Sequence, residues 1–452
     1  MDTRTNRRGN DASSRPVFFS SFLRFLVPTM LFVLLAGFPP AARAQRVAIV
    51  GGTVHPVNGP PIENGVVIFD NGRITAVGPA GALPLPDDVQ RIDAAGKVVT
   101  PGFFDAATAT GLVEVGSVAS TRDNALSGDP IQAAFRVTDG INPNSVVIPV
   151  TRIGGVTTVA SIPSGGAISG QGAVLDLRGE TVGAMLVRDG AAMYASFNPG
   201  GASGTGGGRG GLSLRLREAF EDAHAYAEHQ DAFDRGATRD FAVSRLDLDA
   251  LQPVLDGSIP LVVRASRASD IDAALRVARE YGARPVILGG EEAWMRADTL
   301  AQLQVPVILK PLSNLPVQFD RLGTRFDNGP RLADAGVPVV ISTMDTHNAR
   351  NLRYEAGNAI RFGMTWDAAL RAVTLTPAEV LGVADTHGSL EPGKVANVVI
   401  WSGDPFAFSS YAERVFIRGQ EIPATSRQKH LLERYKTLEG RPVQYRGKQG
   451  GR

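Results

Sequence analysis

Thr100-Pro101-Gly102-Phe103-Phe104-Asp105-Ala106-Ala107-Thr108-Ala109 decides the fold, because it has the frame of a barrel strand. Working outward, apolar strands alternate with amphipathic helices: 260–264 then 270–281, 284–288 then 292–304, 306–309, and 337–343 then 351–362. That alternation predicts a parallel (β/α)8 barrel of α/β class. Each strand is apolar on both faces, as a strand covered by helices must be. Ser269 is placed to cap one helix and Gly282 to end it.

Before the barrel come short, glycine-punctuated strands at 47–49, 65–70, 73–77 and 97–100. Asn58-Gly59 and Asn71-Gly72 between them are hairpin signals, since both central residues of a type I′ turn need positive φ. A similar pattern returns in Gly388-Ser389-Leu390-Glu391-Pro392-Gly393-Lys394-Val395-Ala396-Asn397, followed by Val398 to Trp401 and by 414–419. The expected organisation is an export signal at 1–44, a β-sandwich assembled from 45–99 and 387–425, a barrel at 100–386 and a tail at 426–452. The signal rests on five arginines ahead of the apolar run 25–38 and on Ala42-Arg43-Ala44 as a cleavage pattern. Export predicts a periplasmic or secreted protein, with no membrane association after cleavage.

The chain has 46 Lys and Arg against 45 Asp and Glu. Without residues 1–44 the balance turns slightly acidic, so no basic footprint points to nucleic acid. The absence of cysteine excludes disulfides, thiolate metal sites and a cysteine nucleophile. The run 198–211 holds eight glycines but no glycine-lysine-serine signature. It reads as a surface insertion or as a lid over the barrel mouth, not as a phosphate loop.

The 100–109 stretch resembles the first barrel strand of the amidohydrolase superfamily, Pro-Gly-Phe-Ile-Asp-x-His-x-His, and the C-terminal segment resembles that family's Gly-Ser-Leu-Glu-x-Gly-Lys-x-Ala-Asp tail. Both ends are similar to the imidazolonepropionase-like members. The resemblance implies hydrolysis of non-peptide C–N bonds in cyclic amides, with one or two zinc-type metals at the barrel mouth. It also places the family's ligand positions. Ala107 and Ala109 stand at the two first-strand histidines, Arg264 at that of strand five and Gly289 at that of strand six. Asp176 falls loosely at the modified lysine, and Asp345 within one residue of the eighth-strand Asp that acts as general base. Zinc needs imidazole, thiolate or carboxylate donors, and most of these positions offer none, so no bound cofactor is expected.

Histidine is scarce. Of six, only His224, His229 and His347 fall in the barrel, and the first two are five apart on a polar helix, not the four of a helical zinc pair. His347 is a weak further catalytic candidate beside Asp345; each also has a structural reading, as a rim histidine and as a helix-capping carboxylate. Arg264 invites a specific expectation: a fixed guanidinium paired with Asp345, Asp176 or both, in the volume a metal would occupy. Two functions remain open, a hydrolase of cyclic amides with Asp345 as base and a non-catalytic relative that binds a small molecule or a partner.

Overall fold

The computed structural model describes residues 46–436. The expected export signal and the last residues of the expected tail lie outside the described residues. Among the described residues, no helix is long and apolar enough to cross a membrane.

Five strands come first: β1 (Val47–Val54), β2 (Ile62–Asp70), β3 (Arg73–Pro79), β4 (Gln90–Asp93) and β5 (Val98–Pro101). At Asn71-Gly72 the φ angles are 49° and 80°, and Asp70 pairs with Arg73, which makes a two-residue hairpin of the expected kind. Asn58-Gly59 is different. It sits in a longer connection between β1 and β2, and the positive φ falls on Val57 and Gly59.

The barrel follows as β6 (Phe103–Thr108), β7 (Val156–Ser161), β8 (Ile168–Asp176), β9 (Leu186–Ser196), β10 (Leu261–Ala265), β11 (Pro285–Gly289), β12 (Val307–Leu309) and β13 (Val339–Ile341), side by side in that order. Seven strands run one way. β8 is antiparallel to both β7 and β9, so strict strand–helix alternation fails there. The cause is local: Pro163-Ser164-Gly165-Gly166 reverses the chain, with φ of 96° and 66° at its glycines, where a parallel crossover would need a helix. The ladder is open between β13 and β6. Asp105 bridges this seam, because its carboxylate accepts Ser342 Oγ at 2.5 Å, Thr343 Oγ1 at 2.5 Å and the Thr343 N–H at 3.2 Å. Apolar side chains fill the interior, among them Phe104, Ala107, Tyr194, Val262, Leu288 and Val340.

The last strands, β14 (Val398–Trp401), β15 (Ala412–Ile417) and β16 (Gln420–Glu421), return to the first sheet, with β14 antiparallel to β5. Both chain ends thus build a single eight-stranded sheet. Period-two alternation divides β14 between two cores. Val398 and Ile400 pack with Ile49, Phe69 and Phe416 inside the sheet domain, whereas Val399 and Trp401 join the barrel core. The Trp401 and Phe103 rings lie 5.0 Å apart, tilted by 33°, and a Cβ on Gly155 would stand 2.2 Å from the indole, so this contact requires glycine.

Candidate functional site

The C-terminal ends of β9 to β13 open on a cavity of about 640 Å3, where a barrel site belongs. Arg264 projects into it from β10, in register with Leu288 of β11 and Ser196 of β9. A narrower chamber of about 260 Å3 adjoins it and is also lined by Arg264. The glycine-rich segment supplies part of the rim: Asn198 caps the helix Pro199–Ser203 by accepting the Gly201 N–H, and Arg209 starts the helix Arg209–Glu228.

The positions that the resemblance assigns to metal ligands hold no metal-binding set among the described residues. Ala107 is buried in the barrel interior, and Ala109 packs against the core. Gly289 has φ of 100°, and a Cβ there would lie 3.1 Å from Glu291 Oε2. Glu291 thus borders the space a strand-six side chain would use. Its Oε1 accepts Ser313 Oγ and Arg321 Nη1, both at 3.3 Å, while Oε2 is buried without a partner among the described residues. Zinc does not fit these residues: two alanines and a glycine supply no donor, and a guanidinium is a cation with no lone pair to give. Among the described residues, no three His, Asp or Glu side chains converge to hold a metal.

Two expected contacts are corrected. Arg264 pairs with neither Asp345 nor Asp176, and no carboxylate among the described residues lies within salt-bridge distance of it. Burial pulls its pKa down and the Glu291 charge pushes it back. Asp176 is far from the mouth for a topological reason: it ends the antiparallel strand β8 and sits opposite Thr158 near the start of β7, which is the floor of the barrel. There it is fully buried and accepts Arg418 Nε at 2.6 Å, Asn397 Nδ2 at 2.7 Å and Thr158 Oγ1 at 3.0 Å, with His387 Nε2 at 3.3 Å. Burial opposes its charge, but His387 and Arg418 outweigh burial and hold its pKa below the usual range. It clamps the sheet domain to the barrel.

Asp345 is turned off the barrel axis. Met344, at φ 47°, lines the Arg264 cavity in its stead. The Asp345 carboxylate accepts the His347 and Asn348 N–H groups at 2.9 and 3.1 Å and Asn348 Nδ2 at 3.1 Å, an arrangement that organises the turn before the helix Leu352–Arg361. Burial opposes its charge, but Asn348 and Lys310 more than compensate, so it stays ionised at neutral pH. His347 is exposed, with Nε2 2.9 Å from the Glu114 carbonyl, and its ring does not touch Asp345. The two therefore form no side-chain dyad. His224 is exposed on the helix Arg209–Glu228, and His229, also exposed, ends that helix instead of sharing a face of it.

Other residues carry the charge of the mouth. Lys310, directly after β12, lines both the Arg264 cavity and a second cleft of about 930 Å3 that contains Asp345 and Glu355. Glu355 is 4% exposed, and its Oε1 lies 4.0 Å from Lys310 Nζ. Burial raises its pKa to about 7, against the Leu312 N–H and Lys310. Burial likewise raises Asp105 to about 6 against its seam hydrogen bonds. Sequence reasoning missed Glu291 and Arg321. The first had a signal, the Gly289-Gly290-Glu291 run in which a side chain follows two that are missing; Arg321 lies in an irregular loop with none.

The amidohydrolase family model matches residues 219–426. Among curated proteins, the amidohydrolase tasK of Hapsidospora irregularis is 25% identical over 387 residues, which cover 78% of this chain and 39% of that longer protein. The imidazolonepropionase of Rhizorhabdus wittichii is 28% identical over 379 residues, covering 75% of this chain and 88% of that one. A solved amidohydrolase structure from Thermotoga maritima superposes with a TM-score of 0.77 at 30% identity, over 83% of this chain and 99% of that chain. With the barrel, the sheet built from both chain ends and near-complete coverage of that structure, the chain belongs to the amidohydrolase superfamily and is imidazolonepropionase-like.

Proposed function

We propose that this protein is an exported, metal-independent member of the superfamily whose barrel mouth binds a small molecule without hydrolysing it. One observation carries the reading. The position of the strand-five ligand is a cation, Arg264, and that of the strand-six ligand is a glycine whose side-chain space Glu291 borders. A site rebuilt this way has exchanged Lewis acidity for fixed charge.

Hydrolysis of a C–N bond in a cyclic amide is the second reading. It is supported by the relatives named imidazolonepropionase and by Glu355, a buried carboxyl that titrates near neutrality at the mouth and is suited to proton transfer. Elemental analysis of the purified protein, with turnover assays on imidazolone-type cyclic amides before and after chelation, separates the two. The binding reading expects far less than one metal per chain, no turnover and a melting temperature that chelator leaves unchanged. Stoichiometric zinc together with zinc-dependent turnover would overturn it.

A further inference from the structure

The Arg264 cavity is unbalanced in charge. Arg209, Arg264, Arg267, Lys310 and Arg321 line it, against the lining carboxylates Glu291 and Asp320. Asp270 takes up Arg209 and Arg267, at 2.5 and 3.0 Å. Glu291 meets Arg321 on one oxygen only. Arg264 is left without a counter-charge at bonding distance among the described residues, and Lys310 shares its charge between Glu355, 4.0 Å away and itself suppressed by burial, and the Asp345 carboxylate of the second cleft. Atoms without a partner among the described residues converge on the same place: Arg321 Nε and Glu291 Oε2 are both buried with no hydrogen bond. A buried donor left unmade is unfavourable, so a ligand oxygen that satisfied the free guanidinium donors would bind with that penalty already met in the empty site.

The adjoining chamber has a different character. Ser169 and Ser196, both buried, line it with Asn198 and the Gly165-Gly166 turn, and it carries no carboxylate. Arg264 stands where the two spaces share a wall. Their combined size is that of a typical pocket for a small organic ligand.

We propose that the mouth is the binding site for a small organic acid, its terminal oxyanion seated by Arg264, Arg321 and Lys310 and its uncharged polar body in the serine-lined chamber. Arg264 then serves as a specificity determinant, and Glu291 tunes affinity by repelling the anion while it orients Arg321. The inference rests on the metal-independent reading of the same mouth.

Titration calorimetry on the full chain tests it, with glutarate and inorganic phosphate as oxyanion probes and glutaramide as the uncharged counterpart of glutarate. At least one oxyanion binds in the millimolar range or tighter, and glutaramide does not. Tighter glutarate identifies the head group as a carboxylate, and tighter phosphate as a phosphate ester. Arg264→Gln and Arg321→Gln each weaken binding about tenfold or more, the loss of one charge-assisted contact. Glu291→Gln strengthens it, an effect that a merely structural role for Glu291 would not produce. Circular dichroism confirms that each variant is folded, and if Arg264→Gln does not fold, the opposite effects of the other two variants decide. A metal-free protein that binds neither oxyanion, or binds glutaramide as well as glutarate, overturns this inference alone. Stoichiometric zinc at the mouth overturns the metal-independent reading beneath it.

Discussion

Replacing Asp176 with alanine tests how the sheet domain is held to the barrel. The carboxylate is fully buried and gathers Arg418, Asn397, Thr158 and His387 from four segments. Removing one partner of a buried ion pair costs about 3–5 kcal/mol. The Arg418 side chain is 30% exposed, so water recovers part of that cost, whereas Asn397 and His387 cannot be rehydrated without opening the interface. Asp176→Ala should therefore cost about 4 kcal/mol. With an unfolding entropy of about 2.1 cal/mol/K per residue over roughly 390 residues, this lowers the melting temperature by about 5 °C. Calorimetry reads the shift, and hydrogen exchange should show β14 and β15 losing protection before the barrel strands. The pH dependence has a definite sign. The depressed pKa of Asp176 gives stability that is present above the normal carboxylate range and lost as pH falls through the folded value. The wild type should show this loss on acidification, and the variant should lack that contribution. A melting temperature within about 1 °C of wild type, in a protein of this size, would refute the clamp.

Glu355 should act in the opposite sense. Its pKa is raised to about 7 by burial, so its contribution to stability is fully present below about pH 4.5 and is lost as pH rises through 7, by about 3 kcal/mol in total. Urea midpoints should fall between pH 5 and pH 8, and Glu355→Gln should flatten much of that fall; an unchanged profile in the variant would show that Glu355 is not the titrating group. Restoring the family ligands is expected to fail. In Ala107→His/Ala109→His/Arg264→His/Gly289→His, the last substitution meets φ of 100° and Glu291 Oε2 at 3.1 Å, so the four imidazoles should not assemble. Zinc bound at one equivalent with submicromolar affinity would show that the backbone adapts, and that only side chains separate this mouth from a metal centre.

The superfamily was legible in the chain because its marks are local. Pro101-Gly102-Phe103 and Gly388-Ser389-Leu390 are contiguous, and period-two and helical patterns reveal the faces that must be covered. The expectation of missing metal ligands was equally local, since alanine or glycine at a position the resemblance gives to a donor needs no neighbours to be read. Asp176, Asp345 and Arg264 depended on information no local stretch holds. Reversal of the single strand β8 sends Asp176 to the floor. The left-handed turn at Met344 swings Asp345 off the axis. Arg264 keeps its charge unpaired among the described residues because Glu291 faces Arg321, a residue thirty positions away in an irregular loop. A side chain's chemistry belongs to its residue type, but its pKa, partners and direction are set by burial and by strands brought together from distant parts of the chain, and only the tertiary structure supplies these.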